Sequence, residues 1–309
     1  MRVIRLPLLV AAAGLALTAC ATPQGPPGPS LPGGTQAPGA PPMESQNLVP
    51  SNYTGRFQVL ASVLESPAHG PQLCNVMAMS YPPQCGGPDI PNWDWTVVTS
   101  ESFNGTTWGG YLVTGTWDTV SQTFTLTEPA VNGDDVPASA RPPEPPLVDF
   151  ASPCPTPPGG WVAVDPSNAT NEAMDEAMTL ARQSPEFAGA WLDQSYLGPS
   201  GGESTDANDP LRYVLNMRFT GDLAQHEARI REVWGGALCL SPATHSYAEL
   251  TTIADGIMDT EHPLSAGLND ARGTVELTVV VATEEAQAEY DRRYGAGVVL
   301  LQGWLHPID

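Results

Sequence analysis

Lysine is absent from this 309-residue chain: all twelve basic residues are arginine, set against 34 acidic ones. A net charge of −22 argues against nucleic acid or anionic lipid as a partner, because their phosphates need a basic surface. Close CxxC pairs are missing, and the five histidines are scattered with no HExxH. That removes the usual ligand spacings of zinc and the redox dithiol at a helix start. No GxGxxG or P-loop occurs, and the Gly-x-Ser-x-Gly spacing at 198–202 ("GPSGG") lies in a Gly-rich loop between predicted strands. A hydrolase nucleophile needs a sharp strand-to-helix turn, so Ser200 reads as part of a connection. Long apolar runs are confined to the first twenty residues.

Those twenty residues carry the first positive signal. "MRVIRLPLLVAAAGLALTAC" places Arg2 and Arg5 before an apolar stretch that ends at Leu17-Thr18-Ala19-Cys20. The charge, length and small-residue end are those of a secretory leader, too short for a comfortable membrane span. "LTAC" resembles the lipobox of bacterial lipoproteins. The resemblance implies cleavage after residue 19 and acylation of Cys20 with diacylglycerol and a palmitate-type chain, which fastens the mature protein to the extracytoplasmic face of the cell membrane. Each buried CH₂ of such chains contributes about 0.8 kcal/mol, so two or three chains anchor durably. Loss of Arg2 and Arg5 takes the charge from −22 to −24.

Four cysteines then remain, Cys74, Cys85, Cys154 and Cys239. An even number in an exported chain reads as two disulfides, and of the three connectivities we take Cys74–Cys85 with Cys154–Cys239. "LCNVMAMSYPPQCGGP", with its Pro-Pro and Gly-Gly pairs, suits a tight reversal closed by a staple.

Composition divides the mature chain. Residues 20–50 hold nine prolines and five glycines and read as a tether that cannot bury a core. Residues 51–128 read as all-β: "RFQVLASVLE", "LCNVMAMS", "WDWTVVTS", "WGGYLVTGTWD" and "QTFTLTE" are short Val-, Thr- and aromatic-rich runs between turn residues. Five strands of this size predict a small OB-like barrel. Residues 129–159 form a Pro-rich linker. Residues 160–309 alternate strand and helix, beginning "GWVAV", "NEAMDEAMTLARQ", "AGAWLDQSY", "RYVLNMRFTG", "DLAQHEARIREVWG", "ALCLS". That βαββαβ order predicts a ferredoxin-like unit, and the αββαβ run after it predicts a second tandem copy. The fold class expected is therefore α+β, multidomain.

"YPPQCGGPDIPNWDW", "YLVTGTWD", "AGAWLDQS", "REVWGGALC" and "RYGAGVV" together resemble a family of uncharacterised exported proteins and lipoproteins of actinobacteria. The resemblance spans most of 57–307. It implies compartment and two-part architecture, and no activity or catalytic residue.

Two constellations remain as candidate sites. "NWDW" would place Trp93 and Trp95 on one face of a strand, an aromatic platform for a glycan if exposed and plain core if not. "GGESTDANDP" offers Glu203, Asp206 and Asp209 as oxygen ligands, which makes calcium the candidate cation, although the spacing departs from an EF-hand. No other cofactor is expected. His226 is expected to be solvated on its helix, and the remaining tryptophans mostly buried. The leading expectation is a lipid-anchored envelope protein that is not an enzyme and serves as an interaction or assembly module. A glycan-binding lipoprotein using Trp93 and Trp95 is the alternative, and an envelope hydrolase with an unrecognised site the third reading.

Overall fold

The computed structural model describes residues 46–144, 148–198 and 208–308. The fold is mixed α+β, with several small sheets and four helices among these residues. Fifteen strands follow in chain order: β1 Leu48–Val49, β2 Phe57–Ser66, β3 His69–Cys74, β4 Glu101–Phe103, β5 Thr106–Asp118, β6 Thr123–Leu126, β7 Val131–Asn132, β8 Phe187–Asp193, β9 Val214–Phe219, β10 Ala237–Pro242, β11 Ser265–Asn269, β12 Thr274–Val279, β13 Ala282–Thr283, β14 Val299–Gly303 and β15 His306–Pro307. The helices are α1 Asn171–Arg182, α2 Leu223–Arg231, α3 Tyr247–Glu261 and α4 Glu284–Tyr294.

The β-region is organised by its two longest strands. β2 and β5 pair antiparallel from Phe57↔Gly115 to Glu65↔Thr107. Alternation along β2 turns Phe57, Val59 and Val63 inward, where Tyr111 and Val113 of β5 meet them. β15 and β3 share the other edge of β2, while β4, β7 and β6 line the far edge of β5. The two outer edges are joined through one residue: Asp89 bridges Gln72 on one side and Thr123 on the other. Ile90 N–H donates to Pro71 O (2.9 Å) and Phe124 N–H to Asp89 O (2.9 Å), so the sheet curls around buried Leu73, Ile90 and Phe124. Gly115 is needed in this curl, because a Cβ there would lie 2.2 Å from Thr125 O.

The α+β region runs the same path twice. In the first module α1, β8, β9, α2 and β10 build a sheet of order β10-β9-β8, antiparallel at β8–β9 and parallel at β9–β10. In the second, α3, β11, β12, α4 and β14 give β11-β12-β14 with the same senses. Each helix is capped by a side chain: Thr170, Asp222, Ser246 and Thr283 each accept a first-turn backbone N–H. Buried residues recur at helical spacing, as in Leu250, Ala254 and Ile257 of α3. Gln287 of α4 stitches helix to strand, donating to Val299 O (2.9 Å) and accepting from Leu301 N–H (2.9 Å).

Several expectations are corrected. "GWVAV" is not a strand. The place beside the central β9 that a ferredoxin-like first strand would take is filled, since β9 has β8 on one side and β10 on the other. The segment is held instead by Asp165 N–H to Gly235 O (3.0 Å), with Val162 and Val164 exposed. The end of the predicted tether is part of the fold: β1 pairs in parallel with β13, and Val49 is buried. Residues placed with the α+β region return to the β-region, since β15 pairs with β2 and Leu305 is fully buried in the core around Val59. Residues 76–80 do not extend β3, and 93–98 form no strand.

Both expected disulfides are present, Cys74–Cys85 and Cys154–Cys239, each with a Cα–Cα distance of 5.8 Å. They fit an oxidising, extracytoplasmic setting. The second pins the Pro-rich segment across the β8–β10 sheet: Trp191 Nε1 donates to Phe150 O (3.0 Å), Ser152 N–H donates to Asp193 (2.7 Å), and Cys154 is bonded to Cys239. Among the described residues, no helix is long and apolar enough to cross a membrane.

Candidate functional site

The NWDW segment is shaped by its polar residues. Asn92 donates to Leu126 O (2.9 Å) and accepts from Leu126 N–H (3.0 Å), which ties the segment to the end of β6. Asp94 accepts from the Thr96 hydroxyl (2.7 Å) and backbone N–H (2.8 Å), turning Trp95–Val97 into a 3₁₀ turn. Those two bonds, the hydroxyl's first, hold the Asp94 carboxyl below its ordinary range. Trp93 and Trp95 therefore do not share a strand face. Their rings meet edge to face, 5.3 Å apart at 70°, and the Trp93 ring packs 4.9 Å from Tyr111. Tyr111 is fully buried, donates to Thr99 O (2.7 Å), and has its hydroxyl pushed up to about 12 by burial.

Of the two readings, platform and core, these contacts favour the second: both rings are partly buried and packed against the β-region core. Trp95 turns its Nε1 to Glu65. Trp93 alone of the pair lines a cleft of about 360 Å³, with Val97, Val98, Leu126 and Ala130 as apolar walls. The polar side chains at its rim are already engaged: Asn92 with Leu126, Asp94 with Thr96, and Glu128 in an ion pair with Arg56. The walls are apolar, and the exposed Asp94 and Glu128 carboxylates at the rim keep further acceptor sites.

The stapled loop is the other distinctive surface. Cys74 and Cys85 pack with Leu64 and Trp108, and Ala78 N–H donates to Gln84 O (2.8 Å) across the loop. Tyr81 lies on Phe103 (4.7 Å) and edge-on to Trp108 (5.9 Å). At the exit, a Cβ on Gly87 would fall 1.9 Å from Leu73 O, so glycine is what lets the chain pass this close to β3. The loop leaves Val76 (71 %), Met79 (106 %) and Tyr81 (70 %) facing solvent. Sequence reasoning read this loop as a staple and its first half as a strand, and did not read it as an exposed surface. The signal that was available is the run of apolar residues between the cysteines with no polar alternation.

Cys20, Ser200, Glu203 and Asp206 lie outside the described residues. Asp209 closes a turn, accepting Leu211 N–H (2.9 Å). Among the described residues no group of three or more His, Cys, Asp or Glu is arranged to hold a metal ion. His226 is not solvated as expected: it is buried, stacked 3.9 Å from Phe219, with Nε2 2.7 Å from Glu186. Its helix packs this face inward because Phe219 ends the strand beneath it.

Comparison with models of protein families finds no match, and comparison with curated proteins finds none either.

Proposed function

We propose that this chain is an exported lipoprotein of the kind found in actinobacteria, held on the outer face of the cell membrane through acylated Cys20, and that it works as a non-enzymatic interaction or assembly module of the envelope. The compartment rests on the leader ending in Cys20 and on the two disulfides. The interaction role is carried by one observation, the stapled loop that presents Val76, Met79 and Tyr81 to solvent. Large apolar side chains clustered on a covalently fixed loop are a costly surface for a monomer and a natural anchor for a partner protein. In architectural terms, the β-region reads as a small OB-like barrel closed at Asp89, and the repeated αββαβ path as a duplicated ferredoxin-like unit lacking its first strand.

Two experiments test this. Mass spectrometry of the mature N-terminal peptide from membranes is expected to find Cys20 diacylated; an unmodified thiol on a soluble product overturns the anchor. Surface proximity labelling from the wild-type protein and from Met79→Asp with Tyr81→Ser is expected to lose specific neighbours in the variant. An unchanged set rejects the loop as the interaction surface. The glycan reading keeps only Trp93, and unchanged retention of Trp93→Ala on purified cell wall rejects it.

A further inference from the structure

The seam between the two αββαβ modules is built around one glycine. β8 carries a bulge between Phe187 and Gly189, and Gly189 has φ +145°. A Cβ there would lie 3.0 Å from the Cα, Cβ and O of Asp270. Glycine therefore lets the β11–β12 turn come against β8, where Asp270 accepts a hydrogen bond from Ala190 N–H (3.1 Å). This close approach delivers a carboxylate to a cleft of about 500 Å³ at the module boundary, the kind of place where small ligands are bound.

The other walls come from three elements. Arg182 and Ser184 stand at the end of α1, Phe187 at the start of β8 and Tyr247 at the start of α3. The Phe187 and Tyr247 rings lie 6.0 Å apart, tilted by 36°, and form one aromatic surface. The charges beside it are under-used. Among the described residues the Asp270 carboxylate has one hydrogen-bond partner, a neutral amide, and no ion-pair partner. The exposed Arg182 guanidinium, which acts on Asp270 through space, makes no side-chain hydrogen bond or ion pair among them. Burial holds the Asp270 carboxyl above its ordinary range, against the pull of Ala190 N–H and Arg182. A cation arriving at this carboxylate would satisfy a partly desolvated anion.

We propose that this cleft binds a free α-amino acid with an aromatic or large aliphatic side chain. Its ammonium sits on the Asp270 carboxylate, its carboxylate on the Arg182 guanidinium, and its side chain against Phe187 and Tyr247. Asp270 and Arg182 attract each other only through space, so a ligand with charges of both signs would give each a direct partner, and its volume fits the cleft. The proposal is independent of the stapled loop, which lies in the β-region.

Isothermal titration of the mature full-length protein with L-phenylalanine, phenethylamine and 3-phenylpropionate tests it. L-Phenylalanine is expected to saturate one site and to bind about tenfold or more tighter than either analogue, since each lacks one charged contact. Asp270→Asn should erase its advantage over 3-phenylpropionate, and Arg182→Gln its advantage over phenethylamine, while both variants melt no lower than the wild type. Absence of saturable binding overturns the proposal. So does wild-type affinity in both variants, and phenethylamine binding as tightly as L-phenylalanine would make the site a plain amine pocket instead.

Discussion

Asp193 and Asp270 are both withdrawn from solvent, and their surroundings push them in opposite directions. For Asp193, burial raises the carboxyl, but hydrogen bonding from Ser195 and Ser152, whose backbone N–H groups donate to it (2.9 and 2.7 Å), outweighs this and holds it below the ordinary value of 3.8. Its contribution to stability is then present above that value and lost as pH falls through the folded-state pKa. For Asp270, burial dominates and the carboxyl is raised above 3.8. Here the cost is absent below 3.8 and grows as pH rises through the folded-state pKa. Asp193→Asn is therefore expected to lose about 1–3 kcal/mol at neutral pH, the loss shrinking toward acid. Asp270→Asn should be neutral or stabilising by up to about 1 kcal/mol at neutral pH, with no gain near pH 3. Urea unfolding of both variants at the two pH values checks the opposite slopes. At this scale the sequence was uneven. The cysteine pairs were legible because export and spacing constrain them jointly. Asp270 and Gly189 were not, since their meaning arises only where two distant segments touch. The tryptophan pair failed for a local reason: Asp94, a residue prone to bond its own backbone, turned a candidate strand into a 3₁₀ turn.

Among the elements, helices were read best. Each of the four announces itself by a Ser, Thr or Asp cap before an apolar stripe, and all four caps are used. α3 has the fullest set: Ser246 accepts from Glu249 N–H, and Glu249 accepts in return from Ser246 N–H (2.7 Å), a reciprocal capping box. Ser246→Ala is expected to destabilise the protein by about 1 kcal/mol, and Ser246→Asn by much less, as measured by denaturant midpoints. Strands were read less reliably, because a β-rich run becomes a strand only if a ladder position is free. "GWVAV" has the residues of a strand, but the place beside β9 that it would take is filled by β10. β4, β7, β13 and β15 have vacancies and too few residues to signal themselves. The repeat was legible as an order of elements, and its identical pairing senses could only be seen folded.

On the scale of the whole molecule, the covalent and non-covalent ties differ in reach. The Cys154–Cys239 bridge spans 85 residues and Cys74–Cys85 spans 11. The loop-closure relation makes the longer one worth about 2 kcal/mol more. Replacing Cys154 and Cys239 by alanine should thus lower stability further than the same change at Cys74 and Cys85, a ranking that equal losses would contradict. The ends of the described chain make a second kind of tie. β1 joins β13, while Trp304 and Leu305 donate to Val279 O (2.8 Å) and Val280 O (3.0 Å) before β15 pairs with β2. Leu305 is fully buried with Val59, Val63 and Phe124, although the sequence separates it from them by the entire α+β region. Its side chain thus couples the two regions that composition alone divides. Leu305→Ala should cost about 2–5 kcal/mol through the cavity left in the β-region core. If the coupling is real, the wild type unfolds in one calorimetric transition and the variant shifts all of it. Two transitions, with only the β-region's moved by the substitution, would show two independent domains joined merely by a linker.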